Sequence, residues 1–300
     1  MSSSATEHSQ WAGTTYGNGW MHRWLIIMLR CIDVRVLYAF VNVFVIPVCL
    51  AVNPAQRITY RYFRRRWQMS RWRAAMMTCR NFSLFAQVVI DRFAMYAGKH
   101  FSIKVEGYDY FQRLAVQTDG FIQLSAHIGN YEIAGYTLHA DKKRLNALVF
   151  AGEKESVMAN RNRMFEDTNI RMIALRQDMS HLFEINEALL RGEIVSMPAD
   201  RMLGSRKSVT LGLLGAEAEF PQGPFSIATM RGLDVLAVNV MKTATKEYTI
   251  YVMPLQYDKT ASRQQQIAQL AENYKAELER MLTKYPEQWY NYFPFWKDEA

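Results

Sequence analysis

From about residue 100 onward, short apolar runs alternate with longer stretches of helical periodicity, and no other feature limits the possible folds so strongly. Ser102–Glu106 alternates in polarity as a strand does, and Phe121–Ala126, Leu145–Phe150, Met172–Leu175 and Ile194–Met197 are brief apolar runs. Further strands are predicted over Val209–Leu214, Val235–Val240 and Tyr248–Leu255. Helices are predicted from Glu132 to about Ala140, over roughly Glu153–Asp167, near Met179–Arg191, and from Ser262 to about Lys284. Strands separated by helices predict an α/β layer with a largely parallel, mixed sheet. In such sheets, functional groups collect where the strands end.

One strand end carries the main candidate. In Phe121-Ile-Gln-Leu-Ser-Ala-His127-Ile-Gly-Asn-Tyr-Glu132 an apolar run stops at a histidine, and a glutamate follows after four residues. His127 can accept a proton near neutral pH, and a nearby carboxylate can fix its tautomer and steady the imidazolium. A five-residue step turns side chains about 140° apart on an ideal helix. His127 and Glu132 therefore meet only with His127 in the loop or first turn and Glu132 on the helix behind it; Gly129 and Asn130 suit such a turn. Two residues of these types at one spacing also arise by chance, and a lone histidine beside a strand end is commonly structural. Ser125 lies two residues before His127, but no Gly-x-Ser-x-Gly elbow is present to present it as a nucleophile.

The block His127-Ile-Gly-Asn-Tyr-Glu132-Ile-Ala-Gly resembles the signature of the bacterial lipid A biosynthesis acyltransferase family, which is lysophospholipid acyltransferase-like: histidine, four residues, then aspartate or glutamate. The resemblance runs from roughly residue 20 to the end. Ile194-Val-Ser-Met-Pro-Ala-Asp200-Arg201 resembles the family's strand ending in an acid, and Leu213-Leu-Gly-Ala-Glu-Ala-Glu-Phe220-Pro-Gln-Gly223-Pro224 resembles its Phe-Pro-x-Gly-Pro block. Two leucines, Leu213 and Leu214, stand where the family often has phenylalanines. The terminal Tyr285-Pro-Glu-Gln-Trp289 is similar to the family's closing segment and is expected to pack across the site.

The resemblance implies a glycerol-phosphate-acyltransferase-like α/β fold in which His127 and Glu132 form the catalytic dyad. It also implies an arginine, Arg161 or Arg163, on the substrate's phosphate or headgroup, with Asp200, Gly223 and Pro224 among the substrate-binding residues. An exposed arginine is otherwise simply solvated, and an acid after a strand is otherwise a cap. Gly223 and Pro224 at a helix start leave backbone amides suited to a phosphate or an oxyanion.

The first third of the chain has a different texture. A polar tail over residues 1–20 precedes a region, residues 21–98, predicted to be helical and membrane-associating, before the α/β domain at residues 99–300. Trp24–Leu29 and Val36–Val52 are the most apolar parts; the second, seventeen residues long, is at the lower limit for a span and contains Pro47. Arginines flank it on both sides, so charge sets no orientation, and a helix dipping into or lying along the membrane fits better than a clean span. Tyr60–Arg73 interleaves arginines with aromatics, a composition that suits nucleic acid or the headgroup layer of anionic lipid. The neighbouring apolar segment favours lipid, so no nucleic-acid partner is expected.

The net charge of +8 points to an anionic partner. Cys31, Cys49 and Cys79 have no paired or zinc-ligand spacing and are expected to be buried apolar residues in a reducing compartment. No metal site, redox cofactor or other cofactor is implied. The expected activity is transfer of an acyl group from an acyl thioester, on acyl carrier protein or coenzyme A, to a hydroxyl or amine of a lipid or lipid-like acceptor at the cytoplasmic face of a bacterial inner membrane. Family members acylate lipid A precursors, other lysolipids, amino-acid lipids or aryl polyenes, and the shared motifs do not choose among them. A non-catalytic membrane-surface protein is the alternative of another class; it leaves the His127 and Phe220–Pro224 blocks without a purpose.

Overall fold

The computed structural model describes residues 19–138, 140, 142–150, 169–176, 178–202 and 207–299. The helix predicted over Glu153–Asp167, with Arg161 and Arg163, lies outside the described residues. Nine strands are present among the described residues: β1 (Ser102–Glu106), β2 (Phe121–Ser125), β3 (Leu145–Phe150), β4 (Ile170–Leu175), β5 (Ile194–Pro198), β6 (Ser208–Leu213), β7 (Ala216–Pro221), β8 (Val235–Ala244) and β9 (Glu247–Leu255). Seven form one sheet in the order β1-β9-β8-β2-β5-β3-β4, parallel except for the β8–β9 hairpin. The α/β class with a largely parallel mixed sheet is therefore observed.

Burial on both faces explains why the central strands read as unbroken apolar runs. Along β8, Val235, Ala237 and Met241 enter one core cluster, while Leu236, Val238 and Val240 enter another. In β2, Ile122 and Leu124 join the first cluster and Phe121 the second. Helices α8 (His181–Leu190), α9 (Gln222–Met230) and α10 (Arg263–Lys284) are among those that contribute to the first. The second takes Phe111 from α6 (Tyr108–Ala115) and Ile133 and Ala134 from α7 (Glu132–Thr137). Ser262 caps α10 in a reciprocal box with Gln265, so the helix begins where its predicted start was placed.

Two elements were not predicted. One is α6. The other is β7, which pairs with β6 through Leu214 and Gly215, both at positive φ (50° and 81°). That geometry gives a tight two-residue hairpin turn, and leucine in its first position hides the usual sequence signal.

The first third is helical: α1 (Gly19–Cys31), α2 (Val34–Phe40), α3 (Ile46–Val52), α4 (Ala55–Arg65) and the long α5 (Arg71–Tyr96). Pro47 lacks an N–H, and in a regular helix its ring meets the carbonyl of Val43. The chain accommodates it with a single π-helical turn over Val41–Val45, joining α2 to α3. The resulting helix, Val34–Val52, is long and apolar enough to cross a membrane by length and composition. Val34, Leu37 and Tyr38 pack on Ile90, Phe93 and Ala94 of α5.

Tyr60–Arg73 is not one interfacial helix. The chain turns at Gln68 (φ 50°) between α4 and α5, and Tyr62 and Phe63 lie in the same core cluster as Trp289 and Trp296. Tyr62 stacks on Trp296 and meets Trp289 edge-on, and Trp67 packs against this cluster. The aromatic demand of the terminal segment thus accounts for these rings, while Trp72 is 88% exposed. The cysteines also depart from expectation: Cys31 and Cys79 are exposed, and Cys49 is half-buried against Ile46, Ala55 and Phe82.

Candidate active site

β2 and β5 are parallel neighbours with Ser125 opposite Pro198. Two residues further along each strand, the same register brings His127 opposite Asp200. The His127 backbone N–H donates to Asp200 Oδ2 at 2.9 Å, and its Nδ1 lies 2.7 Å from Oδ1. One carboxylate thus grips backbone and ring together. Asp200 is 1% exposed, whereas the His127 side chain is 21% exposed. Burial by itself raises the Asp200 carboxyl, but the charge and hydrogen bonds of His127, with Arg201 beside it, outweigh burial and hold it below the usual carboxylate range. An ionised partner at Nδ1 keeps the proton there and leaves Nε2 as the basic nitrogen.

Glu132 opens α7 and is buried, as the loop-then-helix expectation requires. Two of its partners come from α5: Arg92 Nε is 3.1 Å from Oε2, and the Tyr96 hydroxyl donates to the same oxygen at 3.0 Å. The carboxylate on Nδ1 of His127 is that of Asp200. Asp200, expected on the substrate, is buried against the histidine because the strand register puts it there.

The loop carrying His127 is fastened by the chain terminus. Tyr290 N–H donates to His127 O at 3.2 Å, Gly129 N–H to Gln288 O at 2.9 Å, and Asn130 N–H to Val240 O at 2.8 Å. Arg201 binds Tyr290 O at 2.9 Å and lies over the Phe293 ring. Gln288 in turn exchanges two hydrogen bonds with the Lys242 backbone. The terminal segment packs across the site, as expected. Gly129 is at φ +55°, and a Cβ there would lie 1.8 Å from Val240 O. Gly129→Ala is expected to destabilise the fold by on the order of 3 kcal/mol or more, through a left-handed residue and a backbone clash. A urea melt checks this.

Gly223 and Pro224 lie in the first turn of α9, after the strand end at Pro221, so the predicted helix start is observed. Phe220 packs edge-on against Tyr274 of α10, whose hydroxyl donates to Ser125 O at 2.8 Å. The Phe220–Pro224 block is in this way tied to the end of β2. Arg92, Tyr96 and the His127–Asp200 contact were not foreseen. Two signals existed: Asp91-Arg92 interrupts the apolar run Val88–Ala94, and Leu-Ser-Ala-His127 matches Met-Pro-Ala-Asp200 in layout at the ends of two strands.

A histidine backed by a buried acid thus stands at the carboxyl end of a parallel strand. The model of the bacterial lipid A biosynthesis acyltransferase family matches residues 72–298. The chain belongs to that family and is an acyltransferase. Among solved structures, the 1-acyl-sn-glycerophosphate (LPA) acyltransferase PlsC of Thermotoga maritima aligns over 87% of this chain and 98% of its own, with 16% identity and a TM-score of 0.40. No curated protein matches in sequence.

Proposed function

We propose that this enzyme moves an acyl group directly from an acyl thioester to a hydroxyl or amine of a lipid acceptor, with His127 as general base. The observation that carries this reading is Asp200 on Nδ1, which leaves Nε2 as the basic nitrogen. His127 takes the acceptor's proton as its oxygen or nitrogen bonds to the thioester carbonyl carbon. The tetrahedral intermediate collapses with rupture of the C–S bond, and the imidazolium returns the proton to the leaving thiolate. Backbone amides at Gly223 or a cationic side chain stabilise the oxyanion. Arg161 or Arg163 remains the proposed contact for an acceptor phosphate or headgroup. The donor is acyl carrier protein or coenzyme A, both of which suit a chain of net charge +8. Incubating the protein with each labelled donor and a total bacterial lipid extract tests this reading: a labelled lipid supports it and its mass names the acceptor, and absence of label from both donors contradicts it.

The same reading places the enzyme on the cytoplasmic face of the inner membrane. Val36, Phe40, Val43, Phe44 and Val48 are exposed on the apolar helix, and no acidic residue occurs between Asp33 and Asp91. Arg57, Arg61 and Arg65 recur every fourth residue along the exposed side of α4. Apolar insertion beside a cationic stripe supports binding to an anionic bilayer. Val43→Asp/Phe44→Asp is expected to lose most cosedimentation with anionic vesicles, since each side chain is 62% exposed and contributes little to the core. Retained cosedimentation would contradict this placement.

A further inference from the structure

We propose that Tyr274 of α10 is a positioning residue for the reaction: its hydroxyl fixes the ends of β2 and β5 so that Asp200 meets Nδ1 of His127. Phe220 and Phe225, on either side of Pro-Gln-Gly223-Pro224, act by holding the Tyr274 ring. The inference rests on the acyl-transfer reading above and gives the Phe220–Pro224 block a task beside the proposed oxyanion amides.

The bonding at the two strand ends carries it. Ala199 N–H donates to Ser125 O at 3.0 Å, and the Tyr274 hydroxyl donates to the same oxygen at 2.8 Å. A carbonyl oxygen has two lone pairs, so these two donors fill it. Just beyond this rung, Asp200 grips the His127 N–H and ring. Tyr274 is thus bonded two residues from His127 and, through the Ala199 rung, one residue from Asp200.

The hydroxyl has little freedom. Tyr274 is 2% exposed, and its ring meets Phe220 edge-on at 6.2 Å and Phe225 at 5.6 Å. Leu270 and Leu278, a turn to either side on α10, are buried in the same core cluster, so the helix cannot shift without disturbing close packing. Burial pushes the phenol well above its ordinary value, and the nearby Asp200 charge pushes it further. The group therefore stays neutral, keeps donating to Ser125 O and does not compete with His127 as base. Hydrogen bonds weaken steeply with distance and direction, and small misplacements are costly at a reacting centre. A strand end released at Ser125 therefore loosens the Nδ1 contact while the fold stays intact.

The test combines steady-state kinetics with nuclear magnetic resonance of ¹⁵N-histidine-labelled protein in detergent. Tyr274→Phe removes the hydroxyl and keeps the ring. It is expected to lower kcat by about 10- to 10²-fold with KM for donor and acceptor unchanged, the scale of a small misplacement. In an Asp200→Asn background the same change is expected to cost almost nothing, because the contact it protects is already gone. The low-field Nδ1 proton of His127, identified by its absence in His127→Ala, is expected to shift upfield in Tyr274→Phe. Phe225→Leu, which loosens the ring and keeps the hydroxyl, is expected to move it the same way by less. An unmoved resonance in both variants would overturn the proposal. So would equal losses of kcat in the wild-type and Asp200→Asn backgrounds. The resonance needs no substrate, so it tests Tyr274 even if wild type transfers no acyl group, a result that would count against the acyl-transfer reading alone.

Discussion

Asp200→Asn is expected to lower kcat/KM for acyl transfer by about 10²–10⁴-fold, close to the loss caused by removing His127 itself. The substitution preserves shape but not the direction of hydrogen bonding. An asparagine amide can turn its NH₂ toward Nδ1, which favours the tautomer with its proton on Nε2 and removes the lone pair needed to accept the substrate's proton. The buried setting enlarges the effect, because at 1% exposure no water can replace the lost carboxylate. Steady-state rates with a fixed donor check this expectation; near-wild-type activity would remove Asp200 from the reaction. The same carboxyl also ties stability to pH. Its folded-state value lies below the usual range, so its contribution is complete above the ordinary aspartate value of about 3.9 and is lost as pH falls toward the folded value.

Asp91→Ala is expected to destabilise the protein by about 3–5 kcal/mol, the largest loss anticipated for a residue remote from the chemistry. Asp91 is fully buried on α5 and accepts from Lys242 Nζ and the hydroxyls of Tyr38 and Tyr248. Lys242 also donates to Thr245 O at 3.0 Å and to the Tyr38 hydroxyl at 3.2 Å. Burial pushes the Asp91 carboxyl up and the Lys242 ammonium down, so desolvation opposes the charged form of each. Deleting the acid alone strands a buried cation. Replacing both, as Asp91→Leu/Lys242→Met, is expected to cost far less, because an apolar pair carries no desolvation penalty. Equilibrium urea unfolding of the single and double variants distinguishes the cases, and a wild-type midpoint for Asp91→Ala would refute the argument. The cluster joins α2 and α5 to β8, next to the Gln288–Lys242 contact that helps fasten the His127 loop. Loss of Asp91 is therefore expected to lower activity as well as stability.

The alternating body of the chain was legible because strands buried on two faces and amphipathic helices have different periods. Phe121–Ser125 and Leu145–Phe150 are visible as apolar runs for that reason. β7 was not, since Ala216-Glu-Ala-Glu-Phe-Pro is a short, charged strand whose partner is fixed by a turn with an unusual leucine. In the site, His127 and the onset of α7 at Glu132 were readable from local spacing. The acid at Nδ1 was not, because the separation of 73 positions from His127 to Asp200 is bridged by strand register, which a local motif does not carry. Arg92 and Tyr96 were hidden for a similar reason: they reach Glu132 from a helix whose apolar texture resembled anchor rather than active site. Trp67 of the basic stretch shows the reverse error, since it packs edge-on against Tyr62, whose core cluster includes the distant Trp289 and Trp296.

The central claim is that His127 is the base of an acyl transfer to lipid. The decisive measurement is the transfer of a radiolabelled acyl group from acyl carrier protein or coenzyme A to a total bacterial lipid extract, run in parallel with wild type and a folded His127→Ala variant. A labelled lipid formed by wild type and absent from the variant is the expected result. Equal labelling by the two proteins would contradict it.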